Sequence, residues 1–270
     1  MMKRFIFSIF LLPLLLASPQ TKAQGIMLTP KWTAQAQFTG YYVADKLGFY
    51  KEEGIDVCVQ HPAISESSFS FMEKGRAPVV IMNLSYAFME RLAGARVVNV
   101  MQTSQENSLM LISHSPLKGE ESLRNQKIAV WNHLSQKLLD RLAEHYALKQ
   151  VEWIRFNSGV NVFLSGAADP CLVGSYNEYL QLSEYGMNVD SIYSIRLADY
   201  GYNLPEDGLY VTEEFYNQYP EVVRKLVKAS MRGWAWANEH REEALDMVME
   251  EVKKGNIGTC LLYTSDAADD

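Results

Sequence analysis

Cysteine is nearly absent from this chain of 270 residues, with Cys58, Cys171 and Cys260 the whole complement. None lies near the N-terminal apolar segment, which excludes a lipid anchored on a mature N-terminal cysteine. Histidine is equally sparse, and His61, His114, His133, His145 and His240 have no spacing that would hold a metal. A glycine-rich phosphate loop and a nucleophile elbow are missing. So is any basic cluster, and a formal net charge of -7 makes the chain a poor partner for nucleic acid. There is no internal repeat and no low-complexity tract. The longest apolar run, Phe5 to Ala17, is broken by Pro13 and falls short of the roughly 20 residues a membrane-spanning helix needs.

That run follows Lys3 and Arg4 and leads into a polar stretch ending Thr21-Lys22-Ala23. Residues 1–23 therefore read as a secretory signal cleaved after Ala23, releasing the product into a periplasm. At the other end, residues 260–270 (CLLYTSDAADD) show no periodicity and match the translation of a transposase adapter used in sequencing libraries, so the fold reading stops near Thr259 and treats the chain as C-terminally truncated. Setting aside Lys3, Arg4 and Lys22 together with Asp266, Asp269 and Asp270 leaves the charge at -7. About 235 residues remain, long for one compact core and suited to two lobes. Cys58 and Cys171 sit in the apolar runs VCV and CLVG and read as two separate buried thiols, with a disulfide as the alternative in an oxidising compartment.

Helix and strand patterns alternate through the middle, which predicts an α/β architecture with mostly parallel sheets. A helix is expected over 39–50, with Thr39 as its cap and a stop near Gly54. Ile55, Val57 and Val59 then alternate as a strand, and a helix follows over 65–74. VVIM at 79–82 is wholly apolar, as a strand covered on both faces requires. A helix over 85–93 and strands at 97–101 and 109–112 complete the first series. The turn-rich stretch 113–126, with Pro116 and Gly119, predicts a first crossover between lobes. Strands at 127–131, 151–156 and 171–174 alternate with helices over 135–146, 159–166 and 177–185. DYGYNLPEDG at 199–208 predicts the return crossover. Residues 209–211 and a long helix with Pro220 at its first position rejoin the first lobe. The first lobe thus comprises 24–112 and 204–259, and the second 113–203.

The segment 32–57, WTAQAQFTGYYVADKLGFYKEEGIDV, carries the densest functional signal. Trp32, Gln35, Gln37, Phe38, Tyr41 and Tyr42 mix flat apolar faces with neutral hydrogen-bonding groups, as a pocket for a small planar ligand needs, and no acid, base or nucleophile is grouped with them. The competing reading packs the aromatic rings into a core and leaves the glutamines solvated. Tyr41 and Tyr42 are adjacent, so one at most faces a cleft, and Tyr41 is favoured. Asn83, Ser85 and Tyr86 follow VVIM, where a cleft-facing loop begins, with helix capping as the alternative and Ser85 as the favoured cap. Trp131 and Asn132 end KIAVW in the same way, so Trp131 offers the opposite wall of an aromatic sandwich. Asn177 and Glu178 follow CLVG. There the Glu178 carboxylate either accepts hydrogen bonds from ligand N–H groups or complements a helix dipole, and in a pocket it disfavours anions. Tyr200, Tyr202 and Asn203 lie in the return crossover, as ligand contacts or as loop packing.

Five stretches, taken in order, carry a family resemblance. They are the W-x-x-Q-x-x-F-x-G-x-Y spacing from Trp32 to Tyr42, GFYKEEGIDV, SLRNQKIAVW, GVNVFLSGAADPCLVGSYNEY and PEVVRKLVKASMRGWAWANEHREEAL. Together they resemble the periplasmic solute-binding proteins of the thiamine-pyrimidine ABC transporter family. The resemblance implies a type II periplasmic binding protein, with two lobes of parallel-rich sheets joined by hinge crossovers and the ligand held between them. It implies a monomer without cofactor or catalytic activity that captures a thiamine-precursor pyrimidine, or a related heteroaromatic nutrient, for an ABC transporter permease in the inner membrane. The same fold also serves ligands such as sulfonate, nitrate, riboflavin or a polyamine. The family's pyrimidine-phosphate synthases are another class, but they carry a cysteine-rich run where this chain reads YGYNLPEDG. A ligand-sensing module of a larger receptor is a further alternative.

Overall fold

The computed structural model describes residues 25–63, 66–117, 123, 125–131, 140, 143–144, 150–156 and 159–255. The signal expected over 1–23, the tail at 260–270, Asn132 and most of the helix expected over 135–146 lie outside these residues. The first lobe opens with β1 (Ile26–Thr29), β2 (Val57–Val59), β3 (Val79–Asn83) and β4 (Val97–Gln102). The chain then builds β5 (Leu109–Ser113), β6 (Lys127–Trp131), β7 (Glu152–Phe156), β8 (Cys171–Gly174) and β9 (Tyr193–Arg196) before returning with β10 (Asp207–Thr212). Two five-stranded sheets result, ordered β2-β1-β3-β10-β4 and β7-β6-β8-β5-β9.

Both sheets are mixed rather than parallel-rich throughout. In the first, β1 runs parallel to β2 and β3, whereas β10 is antiparallel to β3 and β4. In the second, β6 is parallel to β7 and β8, whereas β5 is antiparallel to β8 and β9. The cause is topological: β5 and β10 start at the seam where the chain enters each lobe, while β3 and β8 end there. Because β5 belongs to the second sheet, the first passage between lobes spans 103–108, not the turn-rich stretch 113–126, which is a connection inside the second lobe. The return passage runs over 201–206.

The helices of the first lobe are α1 (Thr39–Lys46), α2 (Phe49–Glu52), α3 (Ser68–Glu73) and α4 (Leu84–Leu92). The second lobe holds α5 (Asn161–Leu164) and α6 (Glu178–Glu184). After the return come α7 (Glu213–Gln218), α8 (Pro220–Glu239) and α9 (Arg241–Lys254). The helix expected over 39–50 is divided at Gly48, whose φ of 76° suits glycine and ends α1. Thr39 does not cap α1; its hydroxyl donates to the Ala36 carbonyl in a preceding 3-10 turn, Ala36–Phe38. Ser85 lies inside α4, and Asn83 occupies the N-cap position.

Strand alternation sorts the core into layers. Val79 and Ile81 of β3, with Leu209 and Val211 of β10, face α1, α8 and α9, while Val80, Met82 and Tyr210 face α3 and α4. On α8, Val223, Leu226, Ser230, Gly233 and Ala237 form one buried stripe at three- and four-residue spacing. Burying side chains such as Val223 and Leu226 contributes about 1.5–3 kcal/mol each. In the second lobe, Cys171 and Val173 face one cluster and Leu172 the other. Cys58 and Cys171 are free and lie in different sheets. Cys171 is buried, but Cys58 is exposed, contrary to expectation, because β2 is an edge strand. Among the described residues, no helix is long and apolar enough to cross a membrane.

Candidate functional site

The carboxyl ends of β1, β3, β6 and β8 meet the two passages along one seam, and the polar groups of both lobes gather there. Trp131, the last residue of β6, is held by its indole N–H, which donates to Glu178 Oε1 at 3.1 Å. Glu178, the first residue of α6, also accepts from the Gly174 N–H on Oε2 at 3.0 Å and from Asn177 Nδ2 on Oε1 at 3.2 Å. Three of the sequence candidates, Trp131, Asn177 and Glu178, thus form one unit. The Glu178 carboxyl is 5% exposed. Burial raises its pKa, its N–H donors oppose that shift, and the nearby Glu206 charge reinforces it.

Glu206, which sequence reasoning passed over, sits in the return passage and accepts from both the N–H and the hydroxyl of Ser108 in the other passage. Burial raises its pKa too, against the pull of Lys31 and with the push of Asp207. Lys31 follows β1, bonds Asn83 Oδ1 at 2.6 Å and pairs with Asp207 at the start of β10. Asn83 is therefore occupied in joining strands. Lys31 and Glu206 were missed because a charge beside a proline reads as a solvated loop. Their signal was position, two residues after β1 and directly before β10.

Several candidates lie elsewhere. Phe38 has no exposed surface and Tyr41 is 1% exposed, so both belong to the first lobe's core. The reason is that α1 is enclosed, and Tyr41 meets the Trp234 ring edge-on at 6.0 Å. Tyr86 stands edge-on to Phe69 at 6.2 Å, so it faces α3 and not the seam. Tyr202 packs against the cluster containing Trp131 and Leu197, and its carbonyl accepts from Asn107 Nδ2. Asn203 Oδ1 accepts from the Asn107 N–H at 3.0 Å, which ties the two passages together. Gln35 is buried, with Oε1 accepting from Gln37 Nε2 at 2.9 Å. Asn132 falls outside the described residues.

Trp32 packs partly buried against the first lobe's core, and its position is fixed through its backbone. The Trp32 carbonyl can only accept, so His61 Nδ1 carries the proton that reaches it and Nε2 is left to accept from the Tyr42 hydroxyl at 2.7 Å. Burial lowers the His61 pKa, outweighing the carbonyl bond and the Glu251 charge that raise it. The folded state therefore prefers the neutral ring. Its contribution is complete above the unfolded value of about 6.5 and is lost as pH falls from there through the depressed folded value. Urea midpoints measured between about pH 7.5 and 5.5 are expected to fall more steeply for the parent protein than for His61→Phe. Parallel slopes would remove His61 as their source.

Two mixed sheets of this order, two passages and a polar seam define a two-lobed α/β binding fold, the architecture of the periplasmic binding proteins. The chain belongs to the NMT1/THI5 like family, which it matches over residues 35–244. It is 28% identical to the riboflavin-binding protein RibY of Chloroflexus aurantiacus, an alignment covering 88% of this chain and 70% of that one. It is 24% identical to the formylaminopyrimidine-binding protein of Halalkalibacterium halodurans, covering 94% and 81%. Its fold is similar to that of the periplasmic aliphatic sulphonate binding protein SsuA from Escherichia coli, with a TM-score of 0.70 at 13% identity, covering 91% and 83%. A 4-amino-5-hydroxymethyl-2-methylpyrimidine phosphate synthase of Saccharomyces cerevisiae also matches, at 22% identity, covering 73% and 62%.

Proposed function

We propose that this protein is the solute-capturing component of an ABC importer. It is exported to a periplasm, binds a flat heteroaromatic nutrient between its lobes without altering it, and delivers it to an inner-membrane permease. The observation that carries this reading is the Trp131–Glu178 unit, an indole fixed at the seam by a buried carboxylate. An aromatic ring can stack there, and the two acidic groups Glu178 and Glu206 favour a neutral or cationic ligand over an anion. A thiamine-precursor pyrimidine fits that chemistry, as does riboflavin, and relatives named for a formylaminopyrimidine and for riboflavin support the same class. Binding rather than synthesis is favoured because Tyr200 to Gly208 lacks the cysteines of the family's enzymatic branch.

Thermal-shift measurements with aminopyrimidines, riboflavin, taurine and nitrate test the proposal. A ligand at a hundred times its Kd stabilises by about 2.7 kcal/mol. For a domain of this size the melting temperature then rises by roughly 5–10 °C. We expect that shift from a heteroaromatic compound. Stabilisation by taurine or nitrate alone would overturn the reading.

A further inference from the structure

A hydrogen bond joins the lobes through residues that belong to neither passage, with the Tyr176 hydroxyl donating to Gln37 Oε1 at 2.9 Å. We propose that this bond is a latch, and that Gln37 and Tyr176 set the balance between closed and open forms of the cleft. Both ends rest on rigid supports. On the first lobe, Gln37 Nε2 donates to the buried Gln35 side chain at 2.9 Å, and the neighbouring Ala36 and Phe38 have no exposed surface. An amide that accepts at its oxygen while donating at its nitrogen is polarised in a way that strengthens both bonds. On the second lobe, Tyr176 lies between β8 and α6. The adjacent Ser175 N–H donates to the Ser108 carbonyl at 2.9 Å, and Glu178, two residues on, holds Trp131.

Closing the latch therefore seats the Gln35–Gln37 turn beside the Trp131–Glu178 unit. The bonds of Ser108 with Glu206 and of Asn107 with Asn203 lie within the passages, where a hinge rotation displaces atoms least, so they survive opening. The Tyr176–Gln37 bond instead joins the bodies of the two lobes directly, so their separation breaks it. This goes beyond solute capture, because the latch acts in the protein without ligand.

The test is correspondingly independent of ligand identity. In a full chain carrying Cys260→Ser, Cys58 is exposed and accepts a spin label, Cys171 is buried, and a second label is carried by Ser183→Cys on the exposed part of α6. Distance distributions from pulsed electron resonance are compared in the ligand-free full chain. Tyr176→Phe is expected to enlarge the open population, lowering the closed-to-open ratio roughly 2- to 10-fold, the range one hydrogen bond supports. Gln37→Ala should do the same, and the double variant should go no further. A Tyr176→Phe distribution that superimposes on the parent's, or single effects that add in the double variant, would overturn the latch while leaving solute capture to its own thermal-shift test.

Discussion

Gly233→Ala is expected to lower the melting temperature by roughly 6–12 °C, from an overpacking cost of about 3 kcal/mol. A Cβ at this position of α8 would lie 2.0 Å from the Gly40 carbonyl oxygen and 2.9 Å from the Ala44 Cβ, both on α1. The oxygen is a backbone atom and cannot rotate away, so the two helices must separate. The converse is also true, since a Cβ on Gly40 would meet the Trp234 ring at 2.3–2.5 Å. Glycine inside a helix costs about 1 kcal/mol relative to alanine, and close approach of α1 and α8 explains why it is retained here. The effect should reach binding as well, because α1 follows directly from the turn that carries Gln35 and Gln37. Met231, 59% exposed on the same helix, supplies the control, with Met231→Ala expected within about 0.5 kcal/mol of the parent. Thermal unfolding of the two variants separates helix propensity from packing, and equal melting temperatures would show that the helices part without strain.

The elements legible in the sequence are those whose residues decide their own environment. VVIM, KIAVW and CLVG are short apolar runs bounded by turn signals, and each is a strand lying between two packed faces. Pro220 opens α8 because its fixed φ and missing N–H suit the first helical turn. The lobe boundary was less accessible. The runs 97–101 and 109–112 are both apolar and separated by a polar connection, a pattern identical whether they share a sheet or cross between sheets. Pairing of β5 with β8, more than fifty residues later, decides the matter. The strand β9 was not legible, since it is four residues long, lies at a sheet edge and is largely exposed. Trp131, Asn177 and Glu178, which the structure brings together, were singled out because Trp131 ends one buried strand and the other two lie just beyond another. Phe38 and Tyr41 misled because a core and a ligand wall draw on the same aromatic residues.

Glu178→Gln is expected to weaken heteroaromatic binding roughly 10- to 100-fold and to destabilise the second lobe by about 1–3 kcal/mol. An ionised carboxylate offers only acceptors, which matches the three donors that converge on it from Trp131, Asn177 and Gly174. An amide must turn its own N–H₂ toward one set of them. Facing Gly174, it opposes a backbone N–H at about 3 Å; flipped, it opposes Trp131 and Asn177. Either way a buried donor loses its partner, and in the flipped orientation the Trp131 ring loses its anchor. The pH dependence distinguishes this role from simple complementarity at a helix start. The folded-state pKa of Glu178 is raised, chiefly by burial, so the folded protein holds the proton to higher pH than the unfolded chain does. Its stabilising contribution is present below the ordinary carboxylate value of about 4.3 and is lost as pH rises through the folded value. In Glu178→Gln that loss should shrink to the part owed to Glu206, whose pKa is raised by the same cause. Calorimetric titration with whichever compound stabilises the parent, together with urea midpoints across the acid range, reads both effects. Unchanged affinity with an unchanged pH slope would reduce Glu178 to the first residue of a short helix.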